Sequence, residues 1–293
     1  MDVIAVIGLE CHAQLRTATK LFCACAVASD APPNTLVCPV CLGHPGAMPA
    51  PNAEAVRLAV RAALALGCEV APTSTFARKH YFYPDLPKGY QITQADRPLA
   101  TGGAVRGVRL VRVHLEEDAG KLVHDPAGTG VDWNRAGVPL VEIVSTPSVR
   151  SPGEAEVYLR TLHRVLVEAG VCLGDLEKGH FRCDANVSVH RPGEPWGARV
   201  EIKNVNSFRF VRQALAYEIE RQAGLLAAGT PTGPETRAWA GDRTILLRGK
   251  ERAEDYRYVP EPDLPVLAVG PELRAVATEG LAGVPLEAAL DAA

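Results

Sequence analysis

The segment formed by residues 181–190 constrains the fold more than any other part of the chain. Its odd-numbered residues are Phe, Cys, Ala, Val and Val, whereas its even-numbered residues are Arg, Asp, Asn, Ser and His. Successive side chains of a β-strand point to opposite faces, so this alternation predicts a strand with one face in the core and the other in water. Half-exposed sheets are typically antiparallel, because parallel sheets are usually covered on both faces.

Two more segments predict neighbouring strands with a polar face. Alternation over residues 4–12 places Glu10 and His12 on the same face. Residues 199–205 follow a turn-rich stretch after the first strand, so the two strands are predicted to form a hairpin. The polar face shared by that hairpin holds Asp184, Asn186, Glu201 and Lys203.

The segment VHLEEDAGK places two glutamates side by side at the end of a predicted strand, residues 108–117. Alternation aligns Glu116 with the polar residues of this strand and Glu117 with its apolar residues. The two carboxylates must therefore face opposite sides of the sheet.

Three helices are predicted, at residues 52–66, 151–169 and 207–228. Each begins at an Asn or Ser suited to capping and ends before a glycine, and Glu154 completes a capping box in the second. No P-loop or strand-to-helix glycine fingerprint is present in the sequence. The predicted class is therefore α+β, with an antiparallel sheet and helices on its apolar side, and not a doubly wound fold.

Four cysteines form two close pairs within a loop at residues 20–45, in the pattern C-x-C followed by C-P-V-C. Four thiolates in two pairs suit a closed, structural zinc site, with the second pair in the form of a zinc knuckle. The alternative is a set of free thiols in a loop. The predicted zinc ligands are Cys23, Cys25, Cys38 and Cys41.

Charge and targeting signals limit the partners and the compartment. The chain has 31 Lys and Arg against 34 Asp and Glu, a formal charge of -3, so it has no overall basic field for nucleic acid. An RNA would have to be held by a local patch or by another subunit. The N-terminus lacks a signal peptide and no stretch is long enough for a membrane span, so a cytoplasmic protein without membrane or DNA partners is expected.

The acidic residues on these strands suggest magnesium, which prefers oxygen ligands and accompanies nucleotide phosphates. Each one alone is better explained as a solvated or salt-bridged surface residue, but together on inner strands they would repel one another unless cations were bound. The candidate magnesium ligands are Glu10, His12, Glu116, Glu117, Asp184 and Glu201. The basic residues that could contact phosphates, or could be ordinary surface charge, are Arg78, Lys79, Lys88 and Lys121.

A series of long motifs, in order over about residues 3–265, closely resembles the B subunits of tRNA-dependent amidotransferases, which form glutaminyl-tRNA or asparaginyl-tRNA by the indirect route. These motifs are VIGLECHAQL, RKHYFYPDLPKGYQITQ, HLEEDAGK, VDWNRAGVPLVEIVSTP, RCDANVSV, EIKNVNSFRFV and DYRYVPEPDLP.

The resemblance implies a reaction, a fold and a set of partners. ATP phosphorylates the side-chain carboxylate of glutamate or aspartate on a mischarged tRNA, and ammonia released by a glutaminase A subunit displaces the phosphate. The A subunit and a C subunit would be the protein partners. The implied fold is a cradle similar to glutamine synthetase and the guanido kinases, spanning residues 1–293 without the helical and tail domains that follow in the family.

The resemblance also implies roles for individual residues. Glu10, His12, Glu117 or its neighbour Glu116, Asp184 and Glu201 would be catalytic and hold magnesium around ATP. The four cysteines would bind zinc. Two other interpretations stay open: a zinc-stabilised RNA-binding or assembly module without catalysis, and a kinase for the carboxylate of a free amino acid.

Overall fold

The chain is an α+β protein, as predicted, in a computed structural model that describes residues 2–249 and 256–281. Residues 1, 250–255 and 282–293, which belong to the predicted domain, lie outside the described residues. The strands are β1 (Ile4–Gln14), β2 (Glu69–Val70), β3 (Thr73–Ser74), β4 (Ala77–His80), β5 (Tyr90–Thr93), β6 (Ala100–Thr101), β7 (Ala104–Val105), β8 (Val108–Glu117), β9 (Lys121–Asp125), β10 (Gly128–Asp132), β11 (Pro139–Ser145), β12 (Phe181–His190), β13 (Val200–Lys203), β14 (Glu235–Trp239), β15 (Thr244–Gly249), β16 (Val259–Pro260) and β17 (Leu267–Ala268). The helices are α1 (Ala53–Ala65), α2 (Pro152–Glu168), α3 (Phe208–Ala227) and α4 (Pro271–Thr278).

Ten strands form one large sheet in the order β15-β14-β13-β12-β1-β11-β8-β6-β2, with β7 paired to β8. The prediction of an antiparallel sheet is confirmed only in part, because β13 and β14 run parallel. The helix α3 connects these two strands, and a connection of that length can return the chain to the same end of the sheet. The sheet is therefore mixed, although its five central strands are antiparallel.

The predicted strands and helices are confirmed with small shifts at their ends. β8 and β12 have the predicted bounds, and β12 and β13 pair as an antiparallel hairpin. Each predicted helix begins after its predicted cap residue, whose side chain accepts a backbone N–H bond. The capping box is altered, since Glu154 accepts from the backbone N–H of Arg150 and not from that of Ser151.

The long helices cover the apolar face of the sheet. The ring of Phe181, an inward residue of β12, lies 5.3 Å from the ring of His163 on α2 and 6.1 Å from that of Phe208 on α3. The apolar residues predicted for this face of β12 are buried. The opposite face of the central strands opens into a cavity over its middle, and it carries the polar residues of the candidate site.

Three small sheets surround the large one: β9 with β10, β3 with β17, and β5 and β16 on either side of β4. The β4–β5 unit is tied to the end of β8, since the side chain of Gln91 donates to the backbone oxygen of Glu117 and that of Gln94 accepts from Leu115 N. Among the residues that the structure describes, no helix combines the length and apolar character required to cross a bilayer.

Candidate functional site

Three ligand-type side chains meet at the centre of the polar face. His12 on β1 lies opposite Glu142 on β11, and Glu142 lies opposite His114 on β8. The Nε2 atom of His12 is 3.2 Å from a carboxylate oxygen of Glu142 and 3.8 Å from one of Glu116. One ligand atom from each of His12, Glu116 and Glu142 lies within 4.8 Å of the others, so this central cluster could hold a cation.

The charges within the central cluster shift the pKa values of its own members. Burial lowers the pKa of His12, but the hydrogen bond to Glu142 and the charges of Glu142 and Glu116 outweigh it and raise the pKa to about 9. Burial raises the pKa of Glu142, yet His114 and His12 hold it well below its usual range. The carboxylates therefore create a negative potential at this point, which attracts either a proton on His12 or a metal ion.

A cavity of about 640 Å³, called the central cavity below, opens over this cluster. Further polar groups lie beside the central cluster. Glu10 on β1 is directly opposite Asp184 on β12. Lys203 donates to Asp184 at 2.6 Å, and its Nζ atom is 3.7 Å from Glu201. The predicted site residues that line the central cavity are Glu10, His12, Lys79, Glu116, Asp184 and Glu201.

Cationic side chains share the central cavity with these carboxylates. Burial lowers the pKa of Lys79, but the negative charges of Glu116 and Glu142 outweigh it and raise the pKa, so the ammonium stays charged. Arg182 is held at 2.9 Å by Asp118. Arg112 and Arg199 line the same space. Carboxylates that can hold a metal ion and fixed cations that can contact phosphate oxygens therefore lie within one cavity.

Glu117 lies on the other side of the sheet, as the alternation predicted. Its carboxylate accepts from Ile92 N at 2.8 Å and from the ammonium of Lys88, and both groups line a separate cavity of about 240 Å³. Arg78 lines the same cavity and is paired with Glu261 at 2.7 Å. The structure therefore does not bring Glu117, Lys88 or Arg78 to the central cluster.

Lys121 is placed differently again. It is exposed at the start of β9 and lines a neighbouring cavity, which shares Arg182, Asp184 and Lys203 with the central cavity. Lys79 is thus the only one of the four predicted phosphate-contacting residues that lines the central cavity, within the part of the chain that the structure describes.

The four cysteines of the loop at residues 20–45 come together as predicted. Their sulfur atoms lie within 4.8 Å of one another, and those of Cys38 and Cys41 are 3.9 Å apart. Two sulfurs bound to one zinc ion at about 2.3 Å in a tetrahedron lie roughly 3.8 Å apart, so the spacing fits. The knuckle shape is also formed, since Cys38 N donates to the sulfur of Cys41 and Gly43 follows with a φ of 70°.

A buried lysine lies against this cysteine cluster. Lys20 has no exposed surface, and its ammonium is 3.6 Å from the sulfur of Cys41 and donates to the backbone oxygen of Trp133 at 3.3 Å. A hydrogen bond with Cys23 lowers the pKa of the Cys41 thiol to about 4, and the charge of Lys20 contributes to the shift. Cys41 therefore favours the thiolate form that binds metal, whereas the hydrogen bond with Cys41 raises the pKa of the Cys23 thiol and burial raises that of Cys25.

Sequence reasoning missed Glu142, which lies between the two histidines and is 7% exposed. It is the only charged residue in the strand PLVEIVS, which is otherwise apolar apart from its final serine. A carboxylate within such a run is unusual, because charged residues are rarely buried without a partner. That signal could have identified it from the sequence.

Comparison with known proteins gives consistent matches. A family model described as the GatB/GatE catalytic domain matches residues 5–275. The B subunit of the aspartyl/glutamyl-tRNA(Asn/Gln) amidotransferase of an Anaeromyxobacter species is 56% identical over 92% of this chain and 58% of its own length. The proteins of the same name from a Roseiflexus species and from Myxococcus xanthus are 54% and 51% identical, over 91% and 97% of this chain and 58% and 62% of their own lengths. The chain thus spans about three fifths of the length of these relatives.

Proposed function

The chain belongs to the GatB/GatE catalytic domain family, as its motifs predicted, and on that premise we propose that it carries the phosphorylating site of a tRNA-dependent amidotransferase, within the B subunit of that enzyme. The γ-phosphoryl group of ATP passes to the side-chain carboxylate of glutamate or aspartate on a mischarged tRNA, and ADP leaves. Ammonia then attacks the acyl phosphate, so that a C–N bond forms, the C–O bond breaks, and phosphate departs with a proton released from the nitrogen.

The observation that carries this proposal is the composition of the central cavity. It combines the cluster of His12, Glu116 and Glu142 with the cations Lys79 and Arg182 around one cavity. A magnesium nucleotide needs both kinds of group, since the metal and fixed cations together neutralise its phosphates. A cavity built only to bind RNA would not need a cluster of carboxylates at its centre.

We propose that the central cluster holds magnesium, which when bound neutralises charge on the phosphates. The chain's own residues hold the reactants in place. Lys79, whose pKa is raised by the neighbouring carboxylates, stays positive and attracts phosphate oxygens or the substrate carboxylate. Lys203 and Arg182 are held by Asp184 and Asp118, so their positions are fixed before the nucleotide binds.

A general base is not needed for the phosphorylation step. The attacking group is a carboxylate, which is already ionised at neutral pH because its ordinary pKa is near 4. Positioning and charge neutralisation therefore account for the chemistry, as in other phosphoryl transfers. Likeness of the cradle to glutamine synthetase and the guanido kinases, which also phosphorylate weak nucleophiles, stays a prediction.

The partners and compartment are part of the same proposal. A glutaminase A subunit would supply ammonia, a C subunit would complete the assembly in the cytoplasm, and mischarged tRNA would bind across the complex. The formal charge of -3 supports a shared tRNA site, because this chain alone offers no overall basic field. The cysteine cluster would bind one structural zinc ion, which its sulfur spacing supports.

The experiment is a phosphoryl-transfer assay with the chain purified together with A and C subunits. We expect magnesium-dependent ATP cleavage that rises when glutamyl-tRNA or aspartyl-tRNA is added and does not rise with uncharged tRNA or free glutamate. Equal stimulation by free glutamate would support a small-molecule kinase instead. A folded, zinc-loaded chain that cleaves no ATP under any of these conditions would support a binding module without catalysis.

A further inference from the structure

The connection between β10 and β11, residues 133–138, belongs to the motif VDWNRAGVPLVEIVSTP. The structure describes all of these residues, and none of them lines the central cavity. Arg135 is the only charged residue among them. Its side chain extends to the segment that follows β8, where Asp118 lines the central cavity. This contact connects the motif with the candidate site.

The guanidinium of Arg135 binds three consecutive residues after β8. Its Nε atom donates to the backbone oxygen of Ala119 at 3.0 Å, and a terminal nitrogen donates to that of Gly120 at 2.7 Å. The Nε atom also lies 3.5 Å from a carboxylate oxygen of Asp118. Because a guanidinium presents its N–H groups in a rigid plane, binding both backbone oxygens at once fixes the path of residues 118–120.

Asp118 connects this segment to Arg182. The carboxylate oxygen that faces Arg135 also lies 2.9 Å from a terminal nitrogen of Arg182. Asp118 is 6% exposed; its N–H donates to Val138 O at 2.8 Å, and its carbonyl oxygen accepts from Gly137 N at 2.8 Å. Arg182 lines both the central cavity and the neighbouring cavity that contains Arg135. The position of Arg182 therefore depends on a carboxylate that Arg135 helps to place.

The backbone beside Arg135 is anchored on the loop that carries the four cysteines. Asn134 is 8% exposed, and its side-chain oxygen accepts from Leu36 N at 2.8 Å. Asn34 makes the reciprocal contact, since its side-chain oxygen accepts from Trp133 N at 2.8 Å. Arg135 thus extends from a supported backbone, which a side chain requires if it is to hold another group in place.

We infer that Arg135 is a positioning residue for phosphoryl transfer, which acts through Asp118 on Arg182 and contacts neither ATP nor the tRNA. This inference rests on the proposed function, in which Arg182 is one of the fixed cations that neutralise the phosphates. The alternative is direct contact with RNA phosphates, because Arg135 lines the neighbouring cavity. Its hydrogen bonds to two backbone oxygens favour the positioning role, since they hold the guanidinium against the protein.

The first test is a double-mutant cycle in the assay with A and C subunits. We expect Arg135→Met to lower kcat for phosphoryl transfer by about tenfold, less than the roughly hundredfold that a misplacement of about 1 Å can cost. The KM for glutamyl-tRNA should stay within about twofold. In a chain that already carries Arg182→Met, the change Arg135→Met should lower kcat by about twofold at most, because residues that act through one group are not additive.

The second test is hydrogen exchange measured by mass spectrometry, which does not depend on activity. The backbone N–H groups of Asp118 and Gly120 are hydrogen-bonded, and both should exchange faster in Arg135→Met. Peptides from β1 and β12 should exchange at the wild-type rate, which shows that the variant is folded. Arg160→Met is the matched control on α2, where the side chain is 59% exposed, and it should change neither kcat nor the exchange of residues 118–120.

The outcomes separate the two proposals. In an active wild-type complex, an unchanged kcat in Arg135→Met, or losses that multiply when it is combined with Arg182→Met, overturn the positioning role while the proposed function stands. A raised KM for glutamyl-tRNA at an unchanged kcat also overturns it, since Arg135 would then contact the RNA. Wild-type exchange of residues 118–120 in Arg135→Met overturns it as well. A wild-type complex that transfers no phosphoryl group overturns the proposed function, and the role of Arg135 in phosphoryl transfer with it.

Discussion

Two neighbouring glutamates at the end of β8 separate the molecule into two regions with different chemistry. Glu116 faces the central cavity, where it lies 3.8 Å from His12. Glu117 faces the cavity beside the cysteine loop, residues 20–45, where Ile92 N and Lys88 occupy one of its oxygens. The first carboxylate is available to a cation and the second is already paired with protein groups. The sequence EE alone gives no hint of this difference in availability.

The two candidate metal sites differ in the same way. The cysteine cluster offers four sulfurs within 4.8 Å of one another, which would fill a tetrahedral shell completely. The central cluster offers two carboxylates and one imidazole, beside a cavity of about 640 Å³. A filled shell suits a structural ion, whereas an incomplete one leaves positions for a substrate or water. The first region should therefore determine stability and the second activity.

The largest expected effect concerns stability and tests the cysteine cluster. Cys25→Ser removes one of the four proposed zinc ligands, so we expect zinc content to fall well below about one atom per chain and the free energy of unfolding to fall by several kcal/mol. Elemental analysis and urea denaturation measure the two quantities. Cys172→Ala, which removes a buried thiol outside the cluster, should keep the zinc. Full zinc occupancy in Cys25→Ser would contradict the assignment.

The second largest expected effect concerns activity and tests the central cluster. Glu116→Gln should lower magnesium-dependent phosphoryl transfer by roughly a hundredfold or more, because even groups that only support a metal ligand are worth 10- to 100-fold. Glu117→Gln, the matched variant on the other face, should keep most of the activity. The assay with A and C subunits measures both. A larger loss in Glu117→Gln than in Glu116→Gln would reverse the proposed roles.

Glu117 should instead contribute to stability. Its Gln variant keeps the shape but loses the charge that Lys88 and Ile92 N bind, so we expect the free energy of unfolding to fall by about 2 kcal/mol, the scale of hydrogen bonds to a charged group. Urea denaturation checks this. Lys88→Met removes the cationic partner of Glu117 and should lower the free energy of unfolding by a similar amount. An unchanged free energy of unfolding in both variants would show that this ion pair does not stabilise the fold.

The smallest effect concerns Lys20. Its buried ammonium would offset part of the negative charge of a zinc ion held by four thiolates. Lys20→Met should therefore speed zinc transfer to a colour-forming chelator by about tenfold, within the range for groups that support a metal ligand. Lys121→Met, at an exposed lysine at the start of β9, is the control. An unchanged rate of zinc release would indicate that Lys20 serves only to hydrogen-bond the backbone oxygen of Trp133.

The alternation of polar and apolar residues predicted which side chains of the site share a sheet face, because that property depends only on the sequence of each strand. The patterns around Glu10 and Asp184 placed both on one polar surface, and the observed β1–β12 register sets them directly opposite each other. The predicted separation of Glu116 from Glu117 is confirmed for the same reason. A period of two residues is a property of the strand itself, so no distant contact was needed.

The remaining features depend on contacts between distant segments. Lys88 pairs with Glu117 because the β4–β5 unit lies over the end of β8, and no local pattern encodes that placement. The parallel pairing of β14 with β13 likewise depends on where α3 returns the chain. The sequence marks Glu142 as a charged residue in an apolar strand, but its contacts with a histidine on each side depend on the pairing of β11 with β1 and β8.

The most direct test of the central cluster is manganese binding, measured by electron paramagnetic resonance as a substitute for magnesium. We predict that Glu116→Gln weakens Mn²⁺ binding by about 10- to 100-fold, whereas Glu117→Gln leaves it within about twofold of the wild-type chain. Equal Mn²⁺ affinity in the wild-type chain and in Glu116→Gln would contradict the claim that a cation binds between His12, Glu116 and Glu142.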